Sequence, residues 1–309
     1  MNPLTHPLVI VNPSAGRGRA AGLRREVESY WHQQGVRADF HAALSPEEVR
    51  QRARGAPNAG YSSVVVLGGD GTVHEVINGL TDLSAQADTA LPVGILPAGG
   101  GNDLARALDL PLDTLEAAHA LLTAPTRRID LLRLVAADGR GCLYAGAGGA
   151  GIDAEAALLA NTRFRRVPGV ARYVAAAVAA FREARPLEVK VTADGAARVF
   201  SAHLVAVANT PSYGSGIRIT PQAQIDDGWM DLAIVAPLRW SQVLDGLLLA
   251  LRSGDIRWPE MRRMRTRTLR LETDRPVLFH GDGEVLGQTP VEIEVLPGAL
   301  VVLGSRTGL

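Results

Sequence analysis

A glycine-rich segment that contains one carboxylate follows an uninterrupted apolar run. Residues 64–67 are Val-Val-Val-Leu, and residues 68–72 read Gly-Gly-Asp-Gly-Thr. A glycine loop lets backbone N–H groups approach a phosphate, and the N-terminus of a following helix favours anions. Asp70 is itself an anion, so a cation is needed to bridge it to a phosphate. Mg²⁺ commonly binds one or two protein carboxylates together with phosphate oxygens. This stretch therefore predicts a site for phosphates and a divalent metal.

Two further junctions of the same kind lie in the first third of the chain. Residues 12–16 (Asn-Pro-Ser-Ala-Gly) follow one apolar run, and residues 97–103 (Pro-Ala-Gly-Gly-Gly-Asn-Asp) follow another. Each alone is typical of an ordinary turn, because glycine and proline mark turns everywhere. Neither the GxxxxGK[ST] nor the GxGxxG pattern is present. In a parallel sheet, however, such loops gather beyond the carboxyl ends of the strands, where open α/β sheets bind ligands.

An acidic turn near the C-terminus is a candidate for proton transfer. Residues 280–284 read His-Gly-Asp-Gly-Glu. Asp282 and Glu284 both qualify as the base that activates an attacking hydroxyl group, and the spacing does not choose between them. If the chain is extended here, the two side chains share one face. Taken alone the segment is more typical of an Asp-Gly hairpin turn. Residues 226–228 (Asp-Asp-Gly) are likewise typical of a turn with solvated carboxylates.

Hydrophobic periodicity predicts two domains. A chain of 309 residues exceeds a single typical core. Up to residue 127, apolar runs alternate with helical patterns, which predicts an α/β domain. From residue 128 to 303, short apolar or alternating runs predict a mainly antiparallel β-sandwich domain. Helical insertions are predicted at residues 153–184, with a break at Pro168-Gly169, and at 240–251. The tail, residues 304–309, is a candidate to rejoin the first domain.

The predicted strands can be given by number. In the first domain they are residues 8–11, 36–42, 64–67 and 93–96. In the second domain they are residues 129–135, 141–147, 186–192, 199–208, 229–235, 268–271, 277–280, 291–296 and 299–303.

Composition and charge exclude several classes of protein. Lys and Arg total 32, as do Asp and Glu, so no global basic field attracts nucleic acid. Cys142 is the only cysteine, which excludes an intramolecular disulfide and is typical of a cytosolic protein. The first 12 residues read as a strand and lack the basic segment of a signal peptide. No apolar stretch approaches the roughly 20 residues of a spanning helix. We expect a cytoplasmic protein that is at most peripheral to the membrane.

Six segments, in this order, resemble the motifs of the diacylglycerol kinase catalytic family, which includes bacterial lipid kinases and the sphingosine and ceramide kinases. They are residues 12–16, 68–72, 97–103, 151–154, 226–228 and 282–284. The resemblance extends over nearly the whole chain. It implies an α/β nucleotide-binding domain, a β-sandwich domain and ATP in the cleft between them. It also implies an ATP-dependent lipid kinase, with diacylglycerol as the first choice of acceptor and phosphatidic acid as product.

The same resemblance assigns roles by position. The residues that would line the nucleotide and its phosphates are Asn12, Pro13, Ser14, Ala15, Gly16, Gly68, Gly69, Asp70, Gly71, Thr72, Val73, His74, Gly99, Gly100, Gly101 and Asn102. Asp70 and Asp103 would serve a catalytic Mg²⁺. A second, structural Mg²⁺ is implied near residues 226–228. Its ligands would be the Asp227 side chain and the carbonyl groups of Gln224 and Trp229. Asp70, Asp282 and Glu284 form the catalytic set.

Two positions depart from the family pattern. The family usually has threonine where this chain has Gly100, so a hydroxyl group near the phosphates is missing. Residues 14–16 read Ser-Ala-Gly, where the family usually has a Ser-Gly pair.

Two alternative functions and the acceptor site stay open at this point. An NAD kinase shares the Gly-Gly-Asp-Gly-Thr segment, but it should have an Asn-Glu pair where this chain has Asn102 and Asp103. A catalytically silent nucleotide- or lipid-binding module would account for Gly100. Arginines of the first helical insertion (Arg163, Arg165, Arg166 and Arg172) and of residues 262–270 are candidates for contact with a lipid surface. They are also typical of solvated faces. The sequence does not determine the headgroup, the acyl preference or whether a homodimer forms.

Overall fold

The computed structural model describes residues 3–81, 91–167, 170–213, 216–253, 258 and 261–304. Its contacts divide the chain into two units. The first consists of Met1–Leu131 with Leu296–Leu309, and the second is Leu132–Val295. The predicted helix break at Pro168-Gly169 and residues 305–309 of the predicted tail lie outside the described residues.

The first unit alternates strands and helices, as its sequence predicts. Its elements are β1 (Pro7–Val11), α1 (Ala20–Gln33), β2 (Asp39–Ala42), α2 (Pro46–Gly55), β3 (Ser63–Gly68), α3 (Asp70–Leu80), β4 (Val93–Pro97), α4 (Asp103–Ala107) and α5 (Thr114–Leu121). The strands lie in the order β2-β1-β3-β4, and each neighbouring pair is parallel. Val93 of β4 also pairs in parallel with Val302, so the returning end of the chain extends this sheet.

Burial explains why these segments form this sheet. Every residue of β3 is buried, as expected for an inner parallel strand with an uninterrupted apolar run. Trp31 of α1 is fully buried, and its indole N–H donates to the carbonyl group of Ala118 at 3.0 Å. Gly79 of α3 lies so close to α2 that an added Cβ would be 2.5 Å from the carbonyl oxygen of Arg50. These contacts pack α1 against α5 and α3 against α2. Helices α1 and α3 follow the loops after β1 and β3.

The second unit is mainly antiparallel. The remaining elements are β5 (Thr126–Ala136), β6 (Gly141–Tyr144), β7 (Ala147–Gly151), α6 (Ile152–Asn161), α7 (Val170–Glu183), β8 (Leu187–Ala193), β9 (Ala196–Ala202), β10 (Leu204–Ala208), β11 (Ser212–Tyr213), β12 (Ile217–Arg218), β13 (Met230–Val235), α8 (Trp240–Ser253), β14 (Met261–Thr266), β15 (Thr268–Thr273), β16 (Leu278–Gly281), β17 (Glu284–Gln288) and β18 (Val291–Leu303). Strands β5 and β18 carry residues of both units.

Two sheets of the second unit share one core. One sheet has the order β14-β13-β10-β7-β16-β17. In the other, β9, β8, β15 and β18 are successive neighbours, and β5 pairs with both β18 and β6. Buried side chains from both sheets, among them Val189, Leu271, Leu232 and Phe279, form a single cluster. This is a β-sandwich, so the predicted fold class is confirmed.

The prediction of one strand over residues 141–147 is wrong. The structure has two strands, β6 and β7, with Ala145 and Gly146 between them. The backbone N–H groups of these two residues donate to the carboxylate of Asp282. They are therefore not available to continue the strand.

Two further strand predictions are also wrong in extent. Residues 199–208 form β9 and β10, which belong to different sheets and are separated at His203. Residues 291–296 and 299–303 belong to the single strand β18, which continues past Pro297 even though Gly298 has a left-handed backbone (φ 60°). Strand β17 follows an Asp-Gly turn and is only partly buried, so its weak pattern did not predict it.

Among the described helices, none combines the length and the apolar character that crossing a membrane requires.

Candidate active site

The three glycine loops of the first unit are in contact. We call residues 12–16 the first loop, 68–72 the second loop and 97–103 the third loop. The side-chain amide of Asn12 donates to the hydroxyl group of Thr72 at 3.1 Å, which joins the first loop to the second. A Cβ added at Gly16 would lie 2.4 Å from the carbonyl oxygen of Ala98, so the first loop also touches the third. The prediction that these loops gather is confirmed.

The second and third loops approach each other backbone to backbone. A Cβ added at Gly99 would lie 2.6 Å from the Cα of Gly69, so there is no room for a side chain at Gly99. Gly100 differs, because a Cβ there would meet no atom within 4 Å. Gly69 and Gly99 thus allow the loops to touch, whereas Gly100 leaves open space beside them.

Asp70 fastens the third loop to the start of α3. Its Oδ2 accepts the N–H of Asn102 and its Oδ1 accepts the N–H of Asp103, both at 2.7 Å. Hydrogen bonds to an ionised acceptor are stronger than neutral ones. Asn102 has a left-handed backbone (φ 55°), and its side-chain amide makes two hydrogen bonds of 3.0 Å with the backbone of Gly99. Sequence reasoning found Asp70 but not this role.

Asp70 and Asp103 fit a magnesium site that is completed by a nucleotide. A Cβ added at Gly101 would lie 2.5 Å from Oδ2 of Asp70 and 3.5 Å from Oδ2 of Asp103, so both carboxylates border one glycine. A carboxylate oxygen has two lone pairs, so a backbone hydrogen bond does not by itself prevent it from binding a metal. In the part of the chain that is described, no three His, Cys, Asp or Glu side chains form a metal site. Phosphate and water would have to supply the remaining ligands, as is usual for Mg²⁺.

Three arginines place positive charge beside the loops. Nε of Arg106 donates to the carbonyl group of Gly101 at 3.2 Å. Nε of Arg19 lies 3.5 Å from the position of a Cβ at Gly16, and Arg17, the next residue after Gly16, has a left-handed backbone. Positive charge of this kind favours a polyphosphate. The sequence analysis missed all three, because no motif spacing marks them.

The other predicted nucleotide residues differ in exposure. Val73 and His74 are buried within α3, each with 4% of its surface exposed, so their side chains pack in the first unit. The side-chain amide of Asn78 donates to the carbonyl group of His74 at 2.9 Å. Gly68 is buried at the end of β3, Ser14 is exposed, and Pro13, Ala15 and Gly71 are partly buried.

In the second unit, Asp282 holds the chain segment between β6 and β7. Its Oδ2 accepts the N–H of Ala145 at 3.0 Å and its Oδ1 accepts the N–H of Gly146 at 2.8 Å. Asn209, which the sequence analysis missed, binds the other side of this segment. Its amide side chain donates to the carbonyl group of Ala145 at 3.0 Å, and its backbone N–H donates to that of Gly146 at 2.8 Å.

Tyr144 lies next to this arrangement and is fully buried. Burial raises the pKa of the Tyr144 phenol well above its usual range, and the negative charge of Asp282 raises it further. The Tyr144 hydroxyl has no hydrogen-bond partner among the described residues. The Tyr144 ring packs against Gly281, where an added Cβ would lie 3.0 Å from it. The Asp282 carboxylate is therefore satisfied by backbone N–H groups and not by this phenol.

Asp282 and Glu284 occupy different positions. Gly281 pairs with Glu284, and Asp282 and Gly283 form the two-residue turn between β16 and β17. Both turn residues have positive φ (52° and 84°), as a tight hairpin requires. The extended geometry that would put both carboxylates on one face is therefore wrong. Asp282 is partly buried and engaged in the turn, whereas Glu284 is exposed at the first position of β17.

The Asp-Asp-Gly segment at residues 226–228 is also a turn with internal contacts. Oδ1 of Asp227 accepts the backbone N–H of Trp229 at 3.1 Å, and Oδ2 accepts a guanidinium N–H of Arg265. Asp231 pairs with Arg265 as well, at 3.5 Å. Burial raises the pKa of Asp231, and Arg265 opposes that rise. Gln224 is exposed.

Two family models match the chain. The diacylglycerol kinase catalytic domain matches residues 6–134, and the YegS C-terminal NAD kinase beta sandwich-like domain matches residues 146–304, just over half of the chain. The chain belongs to the diacylglycerol kinase family. This confirms the family that the six motifs indicate.

The similarity extends over the full length of known relatives. A diacylglycerol kinase of Mycobacterium tuberculosis is 29% identical over 301 residues, which cover 97% of this chain and 95% of the relative. One from Bacillus subtilis is 26% identical, with 92% and 91% covered. A crystal structure of a diacylglycerol kinase from Bacillus anthracis has a TM-score of 0.74 at 21% identity and covers 99% of this chain and 98% of its own. That structure supports the fold.

In this family member the basic segment at residues 262–270 is largely engaged in internal contacts. Arg263 donates to the carbonyl group of Ile219, and Arg270 pairs with Glu292 at 2.6 Å. Both side chains are nevertheless exposed, so the interpretation of this run as a solvated face fits these arginines. In the helical insertion, Arg163, Arg165 and Arg166 are exposed as well.

Proposed function

We propose that this protein is an ATP-dependent lipid kinase that transfers the γ-phosphate of ATP to the hydroxyl group of diacylglycerol, giving phosphatidic acid. The observation that carries the proposal is the contact of three glycine loops around Asp70 in a member of the diacylglycerol kinase family. Phosphoryl transfer depends mostly on positioning and on neutralising charge, and such loops can do both.

The first unit binds the triphosphate in this proposal. The open space at Gly100 lets the phosphates approach the third loop, and Arg106, bound to the carbonyl group of Gly101, adds positive charge. Asp70 and Asp103 would hold the Mg²⁺ that accompanies ATP, and this cation would neutralise phosphate charge. Because the buried side chains of Val73 and His74 pack in α3, only their backbone serves the nucleotide.

The second unit supplies the base, and we assign that role to Glu284. The lipid oxygen forms a bond to the γ-phosphorus, the bond from this phosphorus to the bridging oxygen of ADP breaks, and Glu284 accepts the hydroxyl proton. Both oxygens of Asp282 hold residues 145 and 146, so Asp282 is a positioning residue. Glu284 is exposed at the end of that fixed turn.

The acceptor lies in a bilayer, so we also propose that the protein contacts the membrane surface from the cytoplasm. Arg163, Arg165 and Arg166 are exposed beyond α6, and a basic residue near an anionic bilayer contributes roughly 1 kcal/mol. The transfer rate should therefore increase with the anionic lipid content of the vesicles.

Transfer of labelled phosphate tests the proposal directly. The full chain is incubated with Mg²⁺ and ATP labelled at the γ-position, together with vesicles that contain diacylglycerol, ceramide or no acceptor, and in parallel with NAD. We expect the label in phosphatidic acid. Label in NADP alone would identify an NAD kinase, and ATP binding without any transfer would identify a silent module. Either result contradicts the proposal.

A further inference from the structure

We propose that the guanidinium group of Arg265 neutralises the Asp-Asp-Gly turn of this protein, in the place where the family resemblance implies a structural Mg²⁺. The turn is then stable without a metal. This inference concerns the second unit alone and does not depend on which lipid is phosphorylated.

The first argument is that the candidate metal ligand is already satisfied. Asp227 is the only side-chain ligand that the resemblance implies. One of its oxygens accepts the N–H of Trp229 at 3.1 Å, and the other accepts a guanidinium N–H of Arg265. The Asp227 side chain is only 20% exposed, so there is little water to replace these partners. A divalent cation on this carboxylate would have to displace Arg265 or lie against its positive charge.

The second argument is that the sheet fixes Arg265 in this place. Strands β13 and β14 are antiparallel neighbours, and their register sets Asp231 directly opposite Arg265. Cross-strand residues of opposite charge stabilise a sheet when their side chains share a face. Nε of Arg265 lies 3.5 Å from Oδ2 of Asp231, while its terminal nitrogen binds Asp227. One guanidinium therefore bridges two carboxylates. Its planar arrangement of N–H donors allows it to bind both at once.

The third argument is the local balance of charge. Two arginine guanidinium groups lie over the Trp229 ring. The guanidinium carbon of Arg267 is 4.5 Å from the ring centre, and that of Arg265 is 5.6 Å from it. Cations are attracted to the face of a tryptophan ring. Two arginines thus lie beside Asp227 and Asp231, while the third carboxylate of the segment, Asp226, is exposed. Addition of Mg²⁺ would leave an excess of positive charge there.

The test measures thermal unfolding of the nucleotide-free full chain, in EDTA and in Mg²⁺. For the wild type we expect the same Tm in both conditions, and no bound Mg²⁺ by elemental analysis after gel filtration. For Arg265→Met we expect Tm in EDTA to fall by about 2–4 °C, because two carboxylates lose their partner. Mg²⁺ should restore part of that loss, since the cation can then bind Asp227. Arg262→Met, an exposed arginine on the same strand, is the matched control and should show neither effect.

Asp227→Asn separates this turn from the nucleotide loops. If Mg²⁺ raises the Tm of the wild type and Asp227→Asn abolishes that rise, the turn binds metal and the proposal is wrong. If a rise in the wild type persists unchanged in Asp227→Asn, the metal binds elsewhere and the proposal stands. The comparison of the wild type with Asp227→Asn decides the question even if Arg265→Met does not fold.

Discussion

Asp70 and Asp282 show what a carboxylate between glycines can do at the residue scale. Each accepts two backbone N–H groups from another loop, at distances between 2.7 and 3.0 Å. The sequence alone predicts a metal-binding role for Asp70 and a proton-transfer role for Asp282. The donors of Asp70 lie 32 and 33 residues away and those of Asp282 lie 137 and 136 residues away, so spacing along the chain cannot reveal them. The residue types were predictable, but these contacts were not.

Gly100 allows a direct test of the missing hydroxyl group. A side chain there meets no atom within 4 Å, and the backbone at Gly100 is not left-handed, so threonine fits without strain. If a hydroxyl group bonds a phosphate oxygen, Gly100→Thr should lower the KM for ATP by about 2- to 10-fold, the usual contribution of one hydrogen bond. The measurement is steady-state kinetics with ATP as the varied substrate.

Gly100→Ala is the matched control, since it adds a Cβ without a hydroxyl group and should leave the KM unchanged. A threonine variant with the same KM as alanine would show that the third loop does not place residue 100 next to the nucleotide.

At the scale of elements, the buried parallel strands were the most predictable. Strands β1, β3 and β4 are continuous apolar runs because both faces of each strand are covered. Two of the errors fall where a polar side chain interrupts a strand. His203 separates β9 from β10. Its ring nitrogen Nδ1 accepts the backbone N–H of Leu238 at 3.0 Å, and its backbone N–H donates to the carbonyl group of Val235 at 2.9 Å. Such a break depends on long-range partners, and the pattern of residues 199–208 does not contain it.

His203 should make stability depend on pH. The residue is buried, and burial lowers its pKa below the ordinary value of 6.5. As the pH falls below 6.5, the unfolded chain takes up this proton before the folded chain does, so protonation favours unfolding. Above pH 6.5 the contribution of His203 to the free energy of unfolding is fully present. It is lost as the pH falls from 6.5 toward the lowered pKa of His203 in the folded protein. Urea unfolding at about pH 7.5 and about pH 5.5 measures it.

His203→Asn is the control, because its amide oxygen can accept the N–H of Leu238 without taking up a proton. The difference in stability between the two pH values should be smaller in this variant. An equal difference in both proteins would mean that His203 does not titrate in this range.

At the scale of the whole molecule, the family and fold class were predictable from six motifs in a fixed order. That order reflects the chain path, in which a β-sandwich follows an α/β unit and the C-terminal segment returns to the first unit at Leu296. The choice between Asp282 and Glu284 was not predictable, since either can follow a strand. Our proposal of Glu284 uses the geometry of the hairpin, in which Asp282 holds the turn and Glu284 begins the next strand.

The central claim is that this protein is a phosphoryl-transfer enzyme in which Glu284 is the general base. Its most direct test compares Glu284→Gln with Asp282→Asn. Asparagine retains the left-handed backbone but cannot accept both N–H groups, so Asp282→Asn should lose about 1–3 kcal/mol of stability. Glu284→Gln changes an exposed side chain and should keep the wild-type Tm and ATP affinity.

The measurement is the rate of γ-phosphate transfer from ATP to diacylglycerol by folded Glu284→Gln with saturating substrates. The account predicts a rate about 10²- to 10⁴-fold below that of the wild type, the usual contribution of a general base. Transfer at the wild-type rate would contradict it.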